Sequence, residues 1–126
     1  MSGFPTTIDL LTAAEALTDY WSPRIVAQVN DQYVKVAKLR GSFVWHAHAD
    51  EDELFHVLRG HLRIEYQDRP TVDLPAGSIH VVPRGVQHNP VAVAECWIVL
   101  IEPVTTRHTG ATESPLSKTI AQQLGR

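Results

Sequence analysis

From Arg24 to Pro103 the chain is built of short runs in which apolar and polar residues alternate, separated by Gly, Pro, Asn and Asp. Alternation with period two is the signature of β-strands with one face buried. The clearest case is His61 to Gln67. It places Leu62, Ile64 and Tyr66 on one face and His61, Arg63, Glu65 and Gln67 on the other, as in a half-buried antiparallel strand. Further strands are expected over Arg24 to Val29, Tyr33 to Leu39, Glu53 to Leu58, Thr71 to Leu74 and Ile79 to Val82, with a short Val91 to Ala94 segment. Cys96 to Ile101 is apolar on both parities and should be buried on both faces. Turns fall at Asn30-Asp31, Arg40-Gly41-Ser42, Gly60-His61, Asp68-Arg69-Pro70, Pro75-Ala76-Gly77 and Pro83-Arg84-Gly85. Ahead of the strands, Thr12 with Glu15 has the form of a capping box opening a helix that Ser22-Pro23 ends. Beyond Pro103 the chain turns polar and irregular, with a short terminal helix expected between Ser114-Pro115 and Gly125. Many short strands with Gly/Pro turns predict an all-β sandwich or barrel.

Length, charge and cysteine usage narrow the setting. A chain of 126 residues supports one domain with one core. A net charge of −3 without a basic run argues against nucleic acid as a partner. The single cysteine, Cys96, excludes an internal disulfide and suits a reducing compartment. The N-terminal MSGFPTTIDLL has no charged region followed by an apolar stretch, so no signal peptide is expected. No apolar run approaches the roughly 20 residues of a membrane span. A cytoplasmic protein without a membrane partner is the expectation.

Chemistry concentrates in WHAHADEDELFHVLRG, Trp45 to Gly60. His46 and His48 share a face only if they lie on a strand, which Phe43, Val44 and Trp45 favour. Glu53 has the wrong parity to extend that strand. Ala49-Asp50-Glu51-Asp52 therefore reads as a loop, with Glu53 opening the next strand. Two histidines and a carboxylate converging from adjacent strands suit Zn, Fe, Ni or Mn. A second informative segment, Gly77 to His88, sets His88 just past a tight bend.

Together the two segments resemble the cupin superfamily, whose motifs are G(X)5HXH(X)3–4E(X)6G and G(X)5PXG(X)2H(X)3N. His46, His48, Glu53 and Gly60 fit the first; Gly77, Pro83, Gly85 and His88 fit the second. Eight fixed residues at about 5% usage each match by chance at roughly 10⁻¹¹ per alignment. Arg40 stands where the first motif has its leading Gly, which is displaced to Gly41, and Ala92 stands where the second has Asn. The resemblance covers about residues 33–103. It implies a double-stranded β-helix, or jelly-roll, barrel with its core at about 24–103 in a single 1–126 domain. A short N-terminal helix and an irregular C-terminal tail would flank it. It further implies one divalent metal ion held by His46, His48, Glu53 and His88, with one or two positions open to water or substrate.

The other candidates have blander readings. Asp50, Glu51 and Asp52 suit a solvated turn and lack Ca-loop spacing. His56 has the parity opposite to Glu53, His61 and His108 fall in turn and tail contexts and read as surface, and His80 has a minor claim on the pocket. Cys96 suits a buried thiol. Phe55 and Val57 share the parity of Glu53 and should line the cavity; Tyr66 and Trp97 are further candidate liners. Trp45 points away from the histidines. With the doubly apolar Cys96 to Ile101 strand it suggests a sheet face covered by a second copy, hence a homodimer. The resemblance implies a metal-dependent enzyme of dioxygenase or isomerase type acting on a small organic molecule. The alternative is a non-catalytic small-ligand or metal-binding module for sensing or storage.

Overall fold

The computed structural model describes residues 4–125; Met1 to Gly3 and Arg126, the ends of the expected domain, lie outside them. The architecture is all-β: α1 (Leu10–Glu15), then β1 (Arg24–Val29), β2 (Gln32–Ser42), β3 (Glu53–Arg59), β4 (His61–Tyr66), β5 (Val72–Pro75), β6 (Ile79–Val82) and β7 (His88–Pro103), closed by α2 (Ile120–Gln123). Every ladder is antiparallel, in the order β1-β2-β7-β3-β6, with β4 pairing both β5 and β7. This is the jelly roll.

Its spine is β7. The expected separate segments at Val91 and Cys96 are one 16-residue strand that meets β4 over His88 to Val91 and β3 over Trp97 to Ile101. Val93, Ala94 and Glu95 are exposed between those two ladders, where β7 changes partner without a turn. Within β4 the expected alternation holds: Leu62, Ile64 and Tyr66 are buried inward.

Parity along β7 divides the core in two. Cys96, Ile98 and Leu100 pack inside the barrel with Phe55, Val57, Leu62, Ile64, Tyr66 and Val82. Trp97 and Val99 face outward, onto Val36, the Leu10, Ala13 and Ala14 face of α1, and Leu17 just past its C-terminal end. Leu10, Ala13, Ala14 and Leu17 have the i, i+3, i+4, i+7 spacing of an amphipathic helix. The outward side of the doubly apolar strand is thus covered by the chain's own N-terminal helix. Trp45, at 40% exposure, is left as an apolar surface residue beside the histidines.

The helix begins earlier than expected. Asp9 is its N-cap and accepts from Thr12 N at 2.9 Å, because Asp caps as well as Thr does and this register aims Leu10 at the sheet. Lys38 Nζ donates to the Glu15 and Leu17 carbonyls and satisfies the helix C-terminus. At the other end of the chain a capping box of Thr119 and Gln122 starts α2 later than Ser114-Pro115.

Two turns constrain the barrel. Arg40, the motif position lacking glycine, lies in a β-bulge between Leu39 and Gly41, and the left-handed conformation falls to Gly41 (φ 84°). Gly60 is held at φ 88°, and a Cβ there would meet Glu95 O at 2.7 Å. Both the left-handed backbone and the collision penalise a side chain. Gly60→Ala should therefore destabilise the protein by about 2–3 kcal/mol. That is a fall in Tm of roughly 10 °C, checked by calorimetry against wild type.

Candidate metal centre

The histidine segment is extended but makes no regular ladder. It is held at single points: His46 N and His88 N each donate to the other's carbonyl at 3.0 and 2.9 Å, and Gly85 N donates to His48 O at 2.7 Å. Those contacts seat both imidazoles on the inner face, where His46 and His48 are 2% and 3% exposed. Glu53 opens β3 with its side chain inward, and His88 opens β7 fully buried. Candidate ligand atoms of His46, His48, Glu53 and His88 all lie within 4.8 Å of one another. The His48 and His88 Nε2 atoms each stand 3.5 Å from Glu53 Oε1.

The tautomers of two rings are set by backbone. His46 Nδ1 lies 2.8 Å from Val44 O and His88 Nδ1 lies 2.9 Å from Val86 O, so each Nδ1 carries the proton and each Nε2 presents a lone pair to the cluster. Burial, reinforced by the neighbouring His88, pushes His46 down to about 4, which keeps it neutral and able to ligate. Burial opposes the charge on Glu53. The polar His48, His88 and Glu102 side chains packed around it outweigh burial and hold that carboxyl well below the usual range. The His48 and His88 Nε2 atoms and Glu53 Oε1 are buried with no protein partner. Converging nitrogen and oxygen atoms of three imidazoles and one carboxylate fit a divalent cation, and the expense of burying His48 Nε2, His88 Nε2 and Glu53 Oε1 unpaired argues against a merely structural cluster.

Above the cluster is a cavity lined by Trp21, Leu39, Phe43, Phe55, His46, Glu53, Leu100 and His108, among others, with about 30 Å³ of open space. Water needs roughly 10–15 Å³ by this measure, so the space holds one or two waters or a ligand of a few atoms. Phe55 lines it, as its parity required. Val57 lies deeper in the inner core, and Tyr66 packs there too, its hydroxyl 2.6 Å from His80 Nε2. Trp97 does not line the cavity: odd positions of β7 face α1, and its ring lies under the Arg59 guanidinium at 4.3 Å.

Several participants carry no motif. Trp21 stacks on Phe43 at 4.7 Å and donates Nε1–H to Arg40 O, closing one end of the cavity. His108, expected at the surface, is folded back against Phe43 and into the cavity wall. The tail that carries it is seated by Gly110, whose absent Cβ makes room for the Ala47 carbonyl between the two histidines. Beneath Glu53, Lys35 Nζ donates to Glu102 Oε2 at 2.9 Å, both side chains being about 1–2% exposed. His61 is exposed near Asp73 and Asp50 is exposed, while Asp52 caps Arg84 N at 2.8 Å. Burial pushes the Cys96 thiol up to about 12, as suits an unreactive core residue.

Acid titration reports on His108 directly. Burial is the main reason its pKa sits near 4, against an ordinary value of 6.5. Between those values the unfolded chain binds a proton that the folded one refuses, so the neutral seat contributes stability above pH 6.5 that is lost toward pH 4. In the apoprotein, His108→Asn should make the fall of stability with acid shallower over that window. The change should reach about 1.4 kcal/mol per pH unit in denaturant melts. An identical slope would mean that His108 is not buried neutral.

Fold and cluster together define a jelly-roll barrel with a buried three-histidine, one-carboxylate centre. The chain belongs to the cupin family: the Cupin_2 profile (cupin domain) matches residues 32–102. It is similar to a cupin-2 domain protein from Shewanella frigidimarina, 44% identical with TM-score 0.73 over 76% of this chain and 93% of that one. A protein from Neisseria meningitidis is 30% identical with TM-score 0.72, over 78% and 99% of the two chains. The uncharacterised Bacillus subtilis protein YdbB is 36% identical over 64% of this chain and 72% of its own length.

Proposed function

We propose that the protein binds one divalent metal ion through His46, His48, Glu53 and His88 and uses it to act on a small organic molecule. The observation that carries this reading is the set of buried, partnerless His48 and His88 Nε2 and Glu53 Oε1 atoms gathered with His46 inside the barrel, beside a cavity that His46 and Glu53 line. Bound there, a metal of the Zn, Fe, Ni or Mn type would supply Lewis acidity or an anchor for substrate and O₂. The chain's own residues supply the rest. A divalent ion held by three imidazoles and a single carboxylate would leave the site with net positive charge, so an anionic ligand is favoured. Trp21, Phe43, Phe55 and Leu100 exclude water and receive an apolar body.

Chemistry rather than storage is favoured by Glu102. It is a second carboxyl next to Glu53, pushed well above the usual range by burial and by the Glu53 charge, and so able to hold a proton beside the site. Among the described residues no helix is long and apolar enough to cross a membrane. The unpaired, buried Cys96 supports a reducing compartment such as the cytoplasm. Nothing in the site requires a second copy of the chain.

The test is metal analysis of protein prepared without a His-tag, followed by oxygen-consumption and isomerisation screens of the Fe(II) form against catechols, diketones and thiols. Turnover lost in His48→Ala supports an enzyme. Silence across the screen, with tight ligand binding by calorimetry, would favour the sensing or storage module.

A further inference from the structure

His108 is the feature of the cavity that the metal reading leaves unused. It comes from the tail beyond the barrel, yet it lines the same cavity as His46 and Glu53 and packs against Phe43 at 5.0 Å. Its tautomer is determined by the backbone. Lys118 N donates to His108 Nδ1 at 3.0 Å, so Nδ1 is the acceptor and the proton of the neutral ring must sit on Nε2. Among the described residues no protein group accepts from that Nε2–H. The residues holding the ring are themselves tied down: Thr109 Oγ1 and Ser117 Oγ are hydrogen-bonded, and Thr109 is buried. A ring donor without a protein acceptor, in the wall of the small, mostly apolar cavity that His46 and Glu53 also line, suits an anion once a metal ion is held there.

Resting on the metal reading above, we propose that His108 is the ligand-recognising residue of this site. Its Nε2–H donates to the second oxygen of a small carboxylate or enolate whose first oxygen occupies the metal's open position. The class of ligand follows from three features. The site's net positive charge selects an anion. The two poles, metal and N–H, select a ligand with two oxygens close together. The apolar walls of Trp21, Phe43 and Phe55 and the roughly 30 Å³ they enclose limit the ligand to a few atoms.

Two substitutions separate recognition from support. Asparagine places its amide oxygen near the position of Nδ1, so His108→Asn keeps an acceptor for Lys118 N–H and deletes the donor. Glutamine places its amide nitrogen near Nε2, so His108→Gln keeps the donor. The probe is formate, titrated into Co(II)-loaded protein and followed by the visible absorbance of the metal. A hydrogen bond to a charged acceptor is worth about tenfold or more in affinity. The formate Kd should rise about tenfold or more in His108→Asn and stay within about threefold of wild type in His108→Gln, with Co(II) affinity unchanged in both. Equal formate affinities in protein that takes up cobalt would overturn this inference alone. Wild-type protein that takes up no cobalt would overturn the metal reading and this inference with it. A readout independent of metal is the histidine ¹⁵N spectrum of the apoprotein at neutral pH. It should show His108 as the Nε2–H tautomer, and an Nδ1–H tautomer would overturn the proposal.

Discussion

Protein carrying His46→Ala and His48→Ala together should hold no stoichiometric metal, where wild type holds about one ion per chain, and should no longer respond to chelator. Wild type should respond strongly. An ion at a thousand times its dissociation constant stabilises the fold by about 4 kcal/mol, so stripping it should lower Tm by roughly 15 °C. The double variant should melt at the same temperature with and without chelator. The comparison has a second half. In the metal-free state the wild-type cluster keeps the His48 and His88 Nε2 atoms and Glu53 Oε1 buried without partners, at about 1–3 kcal/mol each. Removing His48 relieves part of that expense. In apoprotein, His48→Ala should therefore be far less harmful than cavity formation alone would suggest. A site evolved for stability would show the reverse, with the variant damaged equally in both states. Differential scanning calorimetry in the presence and absence of chelator decides between them.

The second large effect is expected at Lys35. Leu54 pairs with Ile101 across β3 and β7, which places Glu53 opposite Glu102, and Lys35 on β2 reaches Glu102 from the far side. Two carboxyls and one ammonium thus share the barrel interior. Burial and the Glu53 charge push Glu102 well above the usual range while Glu53 stays ionised. Of the two carboxyls Glu102 is therefore the one disposed to take up a proton, and Lys35 is the cation between β2 and this pair. Lys35→Met fills the same volume and deletes the only cation, leaving a buried negative charge uncompensated. The expected loss is about 3–5 kcal/mol, or roughly 12–20 °C in Tm for the apoprotein. Glu102→Gln is the telling contrast. An amide keeps an acceptor for Lys35 and is neutral like a protonated carboxyl, so this variant should fall within about 1 kcal/mol of wild type. If Glu102→Gln were as damaging as Lys35→Met in urea melts, Glu102 would be ionised and the charge assignment wrong.

Much of this was legible along the chain because parity is a strong local rule. Alternation in His61 to Gln67 correctly separates core from surface, and the same rule puts Phe55 on the cavity and His56 off it. The loop of Ala49 to Asp52 follows from the parity conflict between His48 and Glu53. The remainder was hidden for identifiable reasons. Lys35 in an alternating strand reads as solvated, since nothing local announces a buried acidic partner 67 residues away at Glu102. Trp97 lies in the Cys96 to Ile101 stretch of β7, apolar at every position, where parity alone cannot say which face meets the cavity and which meets α1. Trp21 and His108 lie outside the strands altogether. They reach the site through a turn and a folded-back tail, and their only local signals are a left-handed Trp21 backbone and the small Gly110 against Ala47, neither visible as a pattern.

The central claim is that one metal ion sits among His46, His48, Glu53 and His88. The most direct measurement is an anomalous-difference map from crystals of tag-free protein, collected on either side of the absorption edge of the metal found by elemental analysis. One peak per chain is expected, within bonding distance (about 2.0–2.2 Å) of three imidazole nitrogens and a Glu53 oxygen. A metal-replete crystal whose peak lies elsewhere, or a stoichiometric metal retained by the His46→Ala/His48→Ala protein, would contradict it.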